Sequence, residues 1–119
     1  MDRAKPPEDI APEDFFCAWV PERVAADPGR KRRLAKTRAE IEFAIEGEGG
    51  GVFGVSIDAG RVTGRVGAVA EPDLRVRVSM HDWRDLNAGR LAAPRALLER
   101  RVRLSGNLGL ALQLHLILG

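Results

Sequence analysis

The sequence has few of the residues that covalent chemistry and metal binding need. Among 119 residues the only cysteine is Cys17, so an intramolecular disulfide is impossible and a zinc cluster built on thiolates is excluded. The two histidines, His81 and His115, are far apart in the sequence and do not form a metal motif. No serine or cysteine lies in a recognisable nucleophile elbow. We therefore expect no catalytic activity, no bound metal and no cofactor.

Long apolar runs and strong net charge are also missing. No stretch reaches the roughly 18 uninterrupted apolar residues that a membrane-spanning helix needs, and residues 1–16 contain no apolar signal core. The 19 basic residues nearly balance the 17 acidic ones, which leaves a formal charge of +2 that does not demand a nucleic-acid partner. With a single cysteine, a cytoplasmic protein is the expectation.

The length predicts one domain with one core. Residues 1–11 contain Pro6-Pro7 and lack periodicity, so we expect a flexible leader followed by a single domain over residues 12–119. A helix start at residues 12–14 precedes apolar residues at helical spacing, and Pro21 within that run predicts one kinked helix or two short ones.

From residue 39 the apolar period changes to two, which is typical of strands. Five segments show it: Ile41-Phe43-Ile45, Phe53-Val55-Ile57, Val62-Val66, Leu74-Val76-Val78 and Val102-Leu104. If they share one sheet, one face is apolar, and the other carries glutamates and arginines that can form cross-strand ion pairs. Ser79 and Gly89 bracket a short helix with Trp83 and Leu86 facing inward. The fold class is therefore α+β, with one sheet and helices.

The C-terminal stretch NLGLALQLHLIL has leucine at every even position from 108 to 118. Alternation favours a strand, but leucine favours a helix, and Asn107 is a reasonable helix cap. We interpret residues 108–118 as a helix. Its leucines then form two stripes, of which the second must cover more core, a partner subunit, a membrane surface or a lipid.

Residues 72–114, PDLRVRVSMHDWRDLNAGRLAAPRALLERRVRLSGNLGLALQL, resemble the sterol carrier protein type 2 family, also called the sterol-binding domain. That family has a strand of the form "v.v.ls", then "d...l..G", then a helix, and then a strand running into "l.G....a..l". The first half of the chain agrees only in outline. The matching positions are Asp73, Val76, Val78, Ser79, Asp82, Leu86, Gly89, Val102, Leu104, Gly106, Asn107, Ala111 and Leu114.

The resemblance implies a mixed, mostly antiparallel five-stranded sheet with helices on one face and an apolar tunnel or cleft between them. It also implies a carrier that holds a sterol-like, fatty acyl or isoprenoid ligand without covalent chemistry. His115 and Gln113 are candidates for a contact with the ligand head group. The candidate wall residues are Phe15, Phe16, Trp19, Phe43, Phe53, Ile57, Trp83, Leu86, Leu108, Leu112 and Leu116.

Two other roles remain open. The domain could be an accessory or scaffold subunit that presents its apolar groove to a partner protein or to a lipid-pathway enzyme. The one basic run, RKRRLAKTR, is either a solvated helix end or strand lead-in, or a contact with an anionic membrane surface. Nucleic acid is an unlikely partner because no aromatic platform accompanies the charges. The membrane candidates are Arg30, Lys31, Arg32, Arg33 and Lys36.

Overall fold

The structure is a computed structural model that describes residues 6–114 and residue 118. Helices occupy both ends of this part of the chain and the interval between the fourth and fifth strands. The helical elements are α1 (Pro12–Asp14), a π-helical turn (Phe15–Trp19), α2 (Val20–Ala25), α3 (Pro28–Arg33), α4 (Met80–Ala88), α5 (Ala93–Leu98) and α6 (Leu108–Ala111). The strands are β1 (Arg38–Glu46), β2 (Gly51–Asp58), β3 (Arg61–Val66), β4 (Leu74–Ser79) and β5 (Val102–Gly106).

The five strands form one sheet in the order β3-β2-β1-β4-β5. Three neighbouring pairs are antiparallel, whereas β1 and β4 run parallel, with Phe43 opposite Val76. A parallel pair needs a crossover connection, and the antiparallel β2-β3 hairpin supplies it here. The predicted mixed, mostly antiparallel five-stranded sheet is confirmed.

Most of the alternating apolar residues of the sheet face inward as predicted, but Val66 at the end of β3 is 61% exposed. In β1 the side chains of Ile41, Phe43 and Ile45 are buried, while those between them are at least partly accessible. The helical segment at residues 12–25 packs over this face, where Phe16 and Val20 are also buried. The core therefore lies between the inner sheet face and the helices, as expected for a layered α+β domain.

In the first helical segment, the backbone hydrogen bonding changes from a spacing of four residues to five just before Pro21. The backbone N–H of Val20 donates to the carbonyl oxygen of Phe15, five residues earlier, which defines a π-helical turn. Proline has no N–H and its ring clashes with the carbonyl four residues before it, so a wider turn at this point relieves the conflict. The predicted interruption near Pro21 is confirmed.

The outer sheet face carries the cross-strand ion pairs that the sequence predicted. Arg65 of β3 lies 3.0 Å from Glu40, and Arg75 of β4 lies 3.3 Å from Glu42. A third pair, between Arg77 and Glu46, has a separation of 3.5 Å. Exposed pairs of this kind contribute little stability each. These charged side chains make the outer face of the sheet polar, opposite the apolar inner face.

The predicted caps of α4 and α6 are both present. Ser79 Oγ accepts a hydrogen bond from the backbone N–H of Asp82 at 3.1 Å, and Gly89 ends α4 in the left-handed conformation with φ 80°. Asn107 Oδ1 accepts from the backbone N–H of Gly109 at 3.0 Å at the start of α6. Both helices thus begin where their polar caps satisfy free backbone donors.

The C-terminal stretch differs from the prediction. Helix α6 ends at Ala111, and residues 112–114 form a turn instead of continuing one long helix. The side chains of Leu108 and Leu112 are 59% and 78% exposed, so these two leucines do not form a buried stripe. Four residues give too few intrahelical hydrogen bonds to sustain a helix without packing. No described helix is long and apolar enough to span a bilayer.

Candidate ligand pocket

A pocket of about 560 Å³ lies between the inner face of the sheet and the helices. This volume is within the roughly 300–1,000 Å³ typical of small-molecule sites. Strands β1, β4 and β5 form its floor, and α4, α5, α6 and the π-helical turn form its walls. The residues that line it are Pro6, Phe15, Phe16, Phe43, Val76, Val78, Trp83, Leu86, Asn87, Gly89, Leu91, Ala92, Ala93, Leu97, Val102, Leu104, Ala111, Leu114 and Leu118.

The structure brings five of the candidate wall residues together in this pocket. These five come from the π-helical turn, β1 and α4, which are separated in the sequence by up to about 70 positions. Four of them are almost completely buried, and Leu86 is half-buried. The five are Phe15, Phe16, Phe43, Trp83 and Leu86.

The other described candidates do not line the pocket. Phe53 and Ile57 are buried in the core, Trp19 is half-buried, and Leu108 and Leu112 are exposed. The ring of Phe16 stacks over Phe53 with centroids 5.4 Å apart, so Phe53 packs in the core directly against a pocket residue.

The two candidate head-group residues have different outcomes. Gln113 Oε1 accepts a hydrogen bond from the hydroxyl of Thr37 at 3.1 Å, so this side chain connects the C-terminal segment to the start of β1. His115 lies outside the described residues, as does the candidate wall residue Leu116. Their assignments remain predictions.

An aromatic cluster forms part of the pocket wall. Phe16 stacks on Phe43 with centroids 4.6 Å apart, and meets Phe15 edge-on at 5.0 Å. Trp83 of α4 contacts Phe15 edge-on at 5.4 Å. Such pairs stabilise by about 0.5–1.5 kcal/mol beyond area burial. These contacts therefore hold the four aromatic side chains of the pocket wall in defined positions.

Asn87 is the one polar aliphatic side chain among the described lining residues that the predicted wall set did not include. Its side-chain nitrogen Nδ2 is buried and has no hydrogen-bond partner within the described part of the chain. A buried donor without a partner costs about 1–3 kcal/mol. Among the described lining residues, the indole of Trp83 is the only other side chain with a polar hydrogen. The described part of the lining is thus apolar apart from the Asn87 amide and the Trp83 indole.

Two leucines indicate where the pocket opens. Leu97 of α5 and Leu118 line the pocket and are 44% and 37% exposed. Next to Leu97 in α5, Leu98 is 85% exposed. We infer that the entrance lies between α5 and the C-terminal segment, where apolar side chains reach solvent.

Arg84 of helix α4 and Arg90, which follows the helix, connect it to the N-terminal residues. Arg84 donates to the backbone carbonyls of Glu8 and Ile10, and Arg90 Nη1 donates to Glu8 Oε1 at 2.8 Å. Arg90 Nε also donates to Asp85 Oδ1 at 2.8 Å, and this hydrogen bond lowers the pKa of the Asp85 carboxyl. Residues 8–10 are thereby connected to the helix that carries Leu86 and Asn87. The sequence predicted a flexible leader over residues 1–11, and the boundary of that leader remains a prediction.

The described side chains that could bind a cation or act as a nucleophile lie outside the pocket lining. The exposed His81 has its Nδ1 3.5 Å from Asp82 and 3.6 Å from Asp85, and these three side chains could approach one cation. Both carboxylates already pair with arginines, at 3.5 Å to Arg101 and 2.8 Å to Arg90. Burial raises the pKa of the Cys17 thiol, and nearby carboxylates raise it further, so this thiol is a poor nucleophile.

The basic run lies in α3 and just after it, and none of its residues lines the pocket. Arg30 to Arg33 belong to α3, which begins at the Asp27 cap, and Lys36 follows it. Arg30 forms an ion pair with Asp27 at 3.3 Å. Lys31, Arg32, Arg33 and Lys36 are exposed. The run is therefore an exposed helical segment followed by a strand lead-in, and both interpretations of its charge remain predictions.

A five-stranded sheet with helices around an apolar pocket defines a small α+β domain. The sequence matches the SCP-2 sterol transfer family over residues 20–119, and the chain belongs to that family. The match begins well before residue 72, where the sequence resemblance starts. No curated protein matches the chain closely.

Solved structures share the fold. A double mutant of the sec-alkyl sulfatase PisA1, an enzyme of Pseudomonas sp., has a TM-score of 0.77 and 20% identity; the match covers 92% of this chain and 17% of the sulfatase. Palmitated SCP2L2 from Aedes aegypti has a TM-score of 0.70, 25% identity and coverage of 92% and 95%. Sterol carrier protein domain 2 of Helicoverpa armigera has a TM-score of 0.71, 21% identity and coverage of 96% and 90%. This chain therefore spans less than a fifth of the sulfatase but nearly all of the two carrier proteins.

Proposed function

We propose that the protein binds a sterol-like, fatty acyl or isoprenoid lipid without covalent chemistry and carries it between membranes or proteins. The observation that carries the proposal is the apolar pocket of about 560 Å³ between sheet and helices. Membership of the SCP-2 sterol transfer family and the likeness to palmitated SCP2L2 support it. The domain over residues 12–119 is the proposed binding unit.

Burial of hydrocarbon surface would provide the affinity. About 25 cal/mol is gained for each Å² of apolar surface removed from water, before the costs of association are subtracted. A mainly aliphatic and aromatic wall requires no fixed hydrogen-bond pattern along the ligand. Affinity would then rise with chain length until the pocket is full.

Filling the pocket should abolish binding. Ala111 lines the pocket on α6, and an Ala111→Phe substitution adds a ring to that space. We expect no lipid to remain with the variant in native mass spectrometry after extraction and reloading with palmitic acid, whereas the unmodified protein carries one lipid per chain. Displacement of a fluorescent fatty acid should be lost in parallel.

The matched control is Ala18→Phe, at an exposed position of the π-helical turn that does not line the pocket. It should load palmitic acid normally. The proposed function fails if the unmodified protein retains no acyl, sterol or isoprenoid compound in either assay, or if Ala111→Phe loads as well as Ala18→Phe does.

A second candidate function is that of an accessory module that presents the pocket to an enzyme. The observation in its favour is the likeness to 17% of PisA1, where the same fold forms part of a much longer enzyme chain. A complex of fixed stoichiometry with an enzyme of lipid metabolism, seen by light scattering, would favour this role over that of a free carrier.

We also propose that the basic residues of α3 and its C-terminal flank approach anionic membranes. Each basic residue near such a surface contributes about 1 kcal/mol. Replacing Arg32 and Arg33 by glutamate should weaken co-sedimentation with phosphatidylserine vesicles by about tenfold or more. Arg103→Glu on the exposed face of β5, at the opposite edge of the sheet, is the single-charge control. Equal weakening by that control, or no weakening by the double variant, would contradict a contact through α3.

A further inference from the structure

Residues 6–10, which we call the N-terminal strap, border the pocket. Pro6 at the beginning of the strap lines the pocket and is half-buried, and Ile10 at its end packs against the core. Between them the chain makes a tight turn, in which the backbone N–H of Ile10 donates to the carbonyl oxygen of Pro7 at 3.1 Å. The three residues of this turn that precede Ile10 are exposed. The strap is therefore part of the pocket wall and has its apolar anchors at its two ends.

Two arginines attach the strap to α4 by hydrogen bonds. Arg84 Nη1 donates to the backbone carbonyl oxygens of Glu8 and Ile10. Arg90, which follows the helix, donates from Nη1 to Glu8 Oε1 at 2.8 Å. Hydrogen bonds from a charged donor are stronger than those between neutral groups. These contacts therefore hold the exposed middle of the strap, which has little apolar surface to bury.

The side chain of Arg90 is itself oriented by α4. Its Nε donates to Asp85 Oδ1 at 2.8 Å, and its backbone N–H donates to the carbonyl oxygen of Asp85 at 2.9 Å. A guanidinium is planar and carries its donors in a fixed fork, so a bond at Nε determines where the Nη groups point. Arg90 thus bridges the carboxylate of the helix and the carboxylate of Glu8 in the strap.

The strap should detach more easily than the aromatic part of the pocket wall. Segments that open at a low cost in free energy have few buried apolar contacts and solvent-exposed hydrogen bonds. The strap has both properties, and the side chains of Glu8 and Arg90 are 75% and 55% exposed. Phe15 and Phe16 are buried and belong to the core cluster, so that part of the wall cannot move aside without disrupting the core.

We propose that Arg84 and Arg90 are positioning residues that keep the strap against the pocket and thereby set the rate at which a lipid enters and leaves. The inference rests on the proposed lipid-binding function and adds a second route of exchange to the entrance beside Leu97. A lipid leaves when the strap detaches and the hydrocarbon passes between Pro6 and α4. Because a gate of this kind slows entry and exit alike, it changes the two rates more than the affinity.

The test measures the association and dissociation of cis-parinaric acid, a fluorescent fatty acid, by stopped flow, with excess palmitate as the competitor in the dissociation experiment. The double variant Arg84→Met/Arg90→Met keeps the unbranched side-chain stems and removes both guanidinium groups. We expect both rate constants to rise by about tenfold, the effect of charge-assisted hydrogen bonds after allowance for their exposure. The Kd should stay nearly unchanged. The matched control, Arg65→Met/Arg75→Met, removes two arginines that pair with glutamates on the outer sheet face and should leave both rate constants as they were.

A pair of surface variants keeps the proposal testable if the double variant does not fold. Glu8→Ala removes the carboxylate that Arg90 holds. Asp9→Ala removes a carboxylate from the same turn that has no ion pair or hydrogen bond with the described part of the chain. Glu8→Ala should accelerate dissociation by about threefold, as expected for the loss of one exposed pair, and Asp9→Ala should not accelerate it.

Unchanged dissociation in both Arg84→Met/Arg90→Met and Glu8→Ala would overturn the proposal, and so would an equal acceleration in the matched controls. A weaker affinity with an unchanged association rate would also overturn it, because the strap would then be a piece of wall and not a gate. In each of these cases lipid binding stands. If the unmodified protein binds neither cis-parinaric acid nor palmitate, the proposed function itself fails, and the gating proposal fails with it.

Discussion

Phe16→Ala is expected to lower the free energy of unfolding by about 3–5 kcal/mol, the usual cost of removing a buried phenylalanine ring. Phe16 is 1% exposed and its ring lies between the sheet and α4. It stacks on Phe43, Phe53 and Trp83 at centroid distances of 4.6, 5.4 and 6.1 Å. Since small domains are stable by only about 5–15 kcal/mol, this loss should appear as a large fall in the denaturant midpoint.

Phe53→Ala is the informative comparison. Phe53 is also buried, at 4% exposure, but does not line the pocket, whereas Phe16 does. Both variants should be destabilised to a similar extent, and only Phe16→Ala should enlarge the pocket and change its affinity for ligands. A loss below about 1 kcal/mol for Phe16→Ala would mean that the neighbouring rings collapse into the vacated space, contrary to a tightly packed aromatic cluster.

The sequence predicted those parts of the fold that depend on local patterns. Alternation in β1 identified Ile41, Phe43 and Ile45 as inward-facing, because the side-chain period of a strand is two wherever one face is buried. The helix caps at Ser79 and Asn107 followed from short-range backbone chemistry. The ion pairs on the outer face followed from the same alternation, since the residues between the apolar ones must face solvent.

Features that depend on distant segments could not be predicted in the same way. Parallel pairing of β1 with β4 connects residues more than 30 positions apart, and alternation alone gives no strand order. Which apolar residue becomes wall rather than core is also a long-range property. Phe53 and Phe43 have the same sequence pattern, yet only Phe43 lines the pocket, because the pocket lies on the β4 and β5 side of the sheet.

The two least predictable features are both C-terminal to β4. Asn87 reads as an ordinary polar residue near a helix end, and its place in the pocket lining depends on strands and helices that are distant in the sequence. Leu112 fits a helical stripe in the sequence, but α6 ends one residue before it. Among the described leucines of this stretch, Leu114 and Leu118 line the pocket and Leu110 packs against the core, whereas the predicted wall residues Leu108 and Leu112 are exposed.

Gly64→Ala should be as damaging as the loss of a core ring, although it adds only one carbon. Gly64 lies in β3 beneath the π-helical turn, and a Cβ at this position would overlap the backbone carbonyl oxygen of Phe16 and lie 3.0 Å from the Cα of Cys17. Overpacking usually costs about 1–3 kcal/mol. Here the obstacle is backbone, which no side-chain rotation can relieve, so we expect about 3 kcal/mol or more.

Two comparisons separate a backbone clash from other causes. Thr63→Ala changes the exposed neighbour on the same strand and should shift the free energy of unfolding by at most about 0.5 kcal/mol. Combining Gly64→Ala with Phe16→Ala should give no rescue, because the overlap is with the main chain of Phe16 and not with its ring. Since Phe15 and Phe16 line the pocket, a Gly64→Ala protein that still folds should also bind lipid weakly. Stability near that of the unmodified protein, or rescue by Phe16→Ala, would show that the helical segment does not lie against β3 as the structure places it.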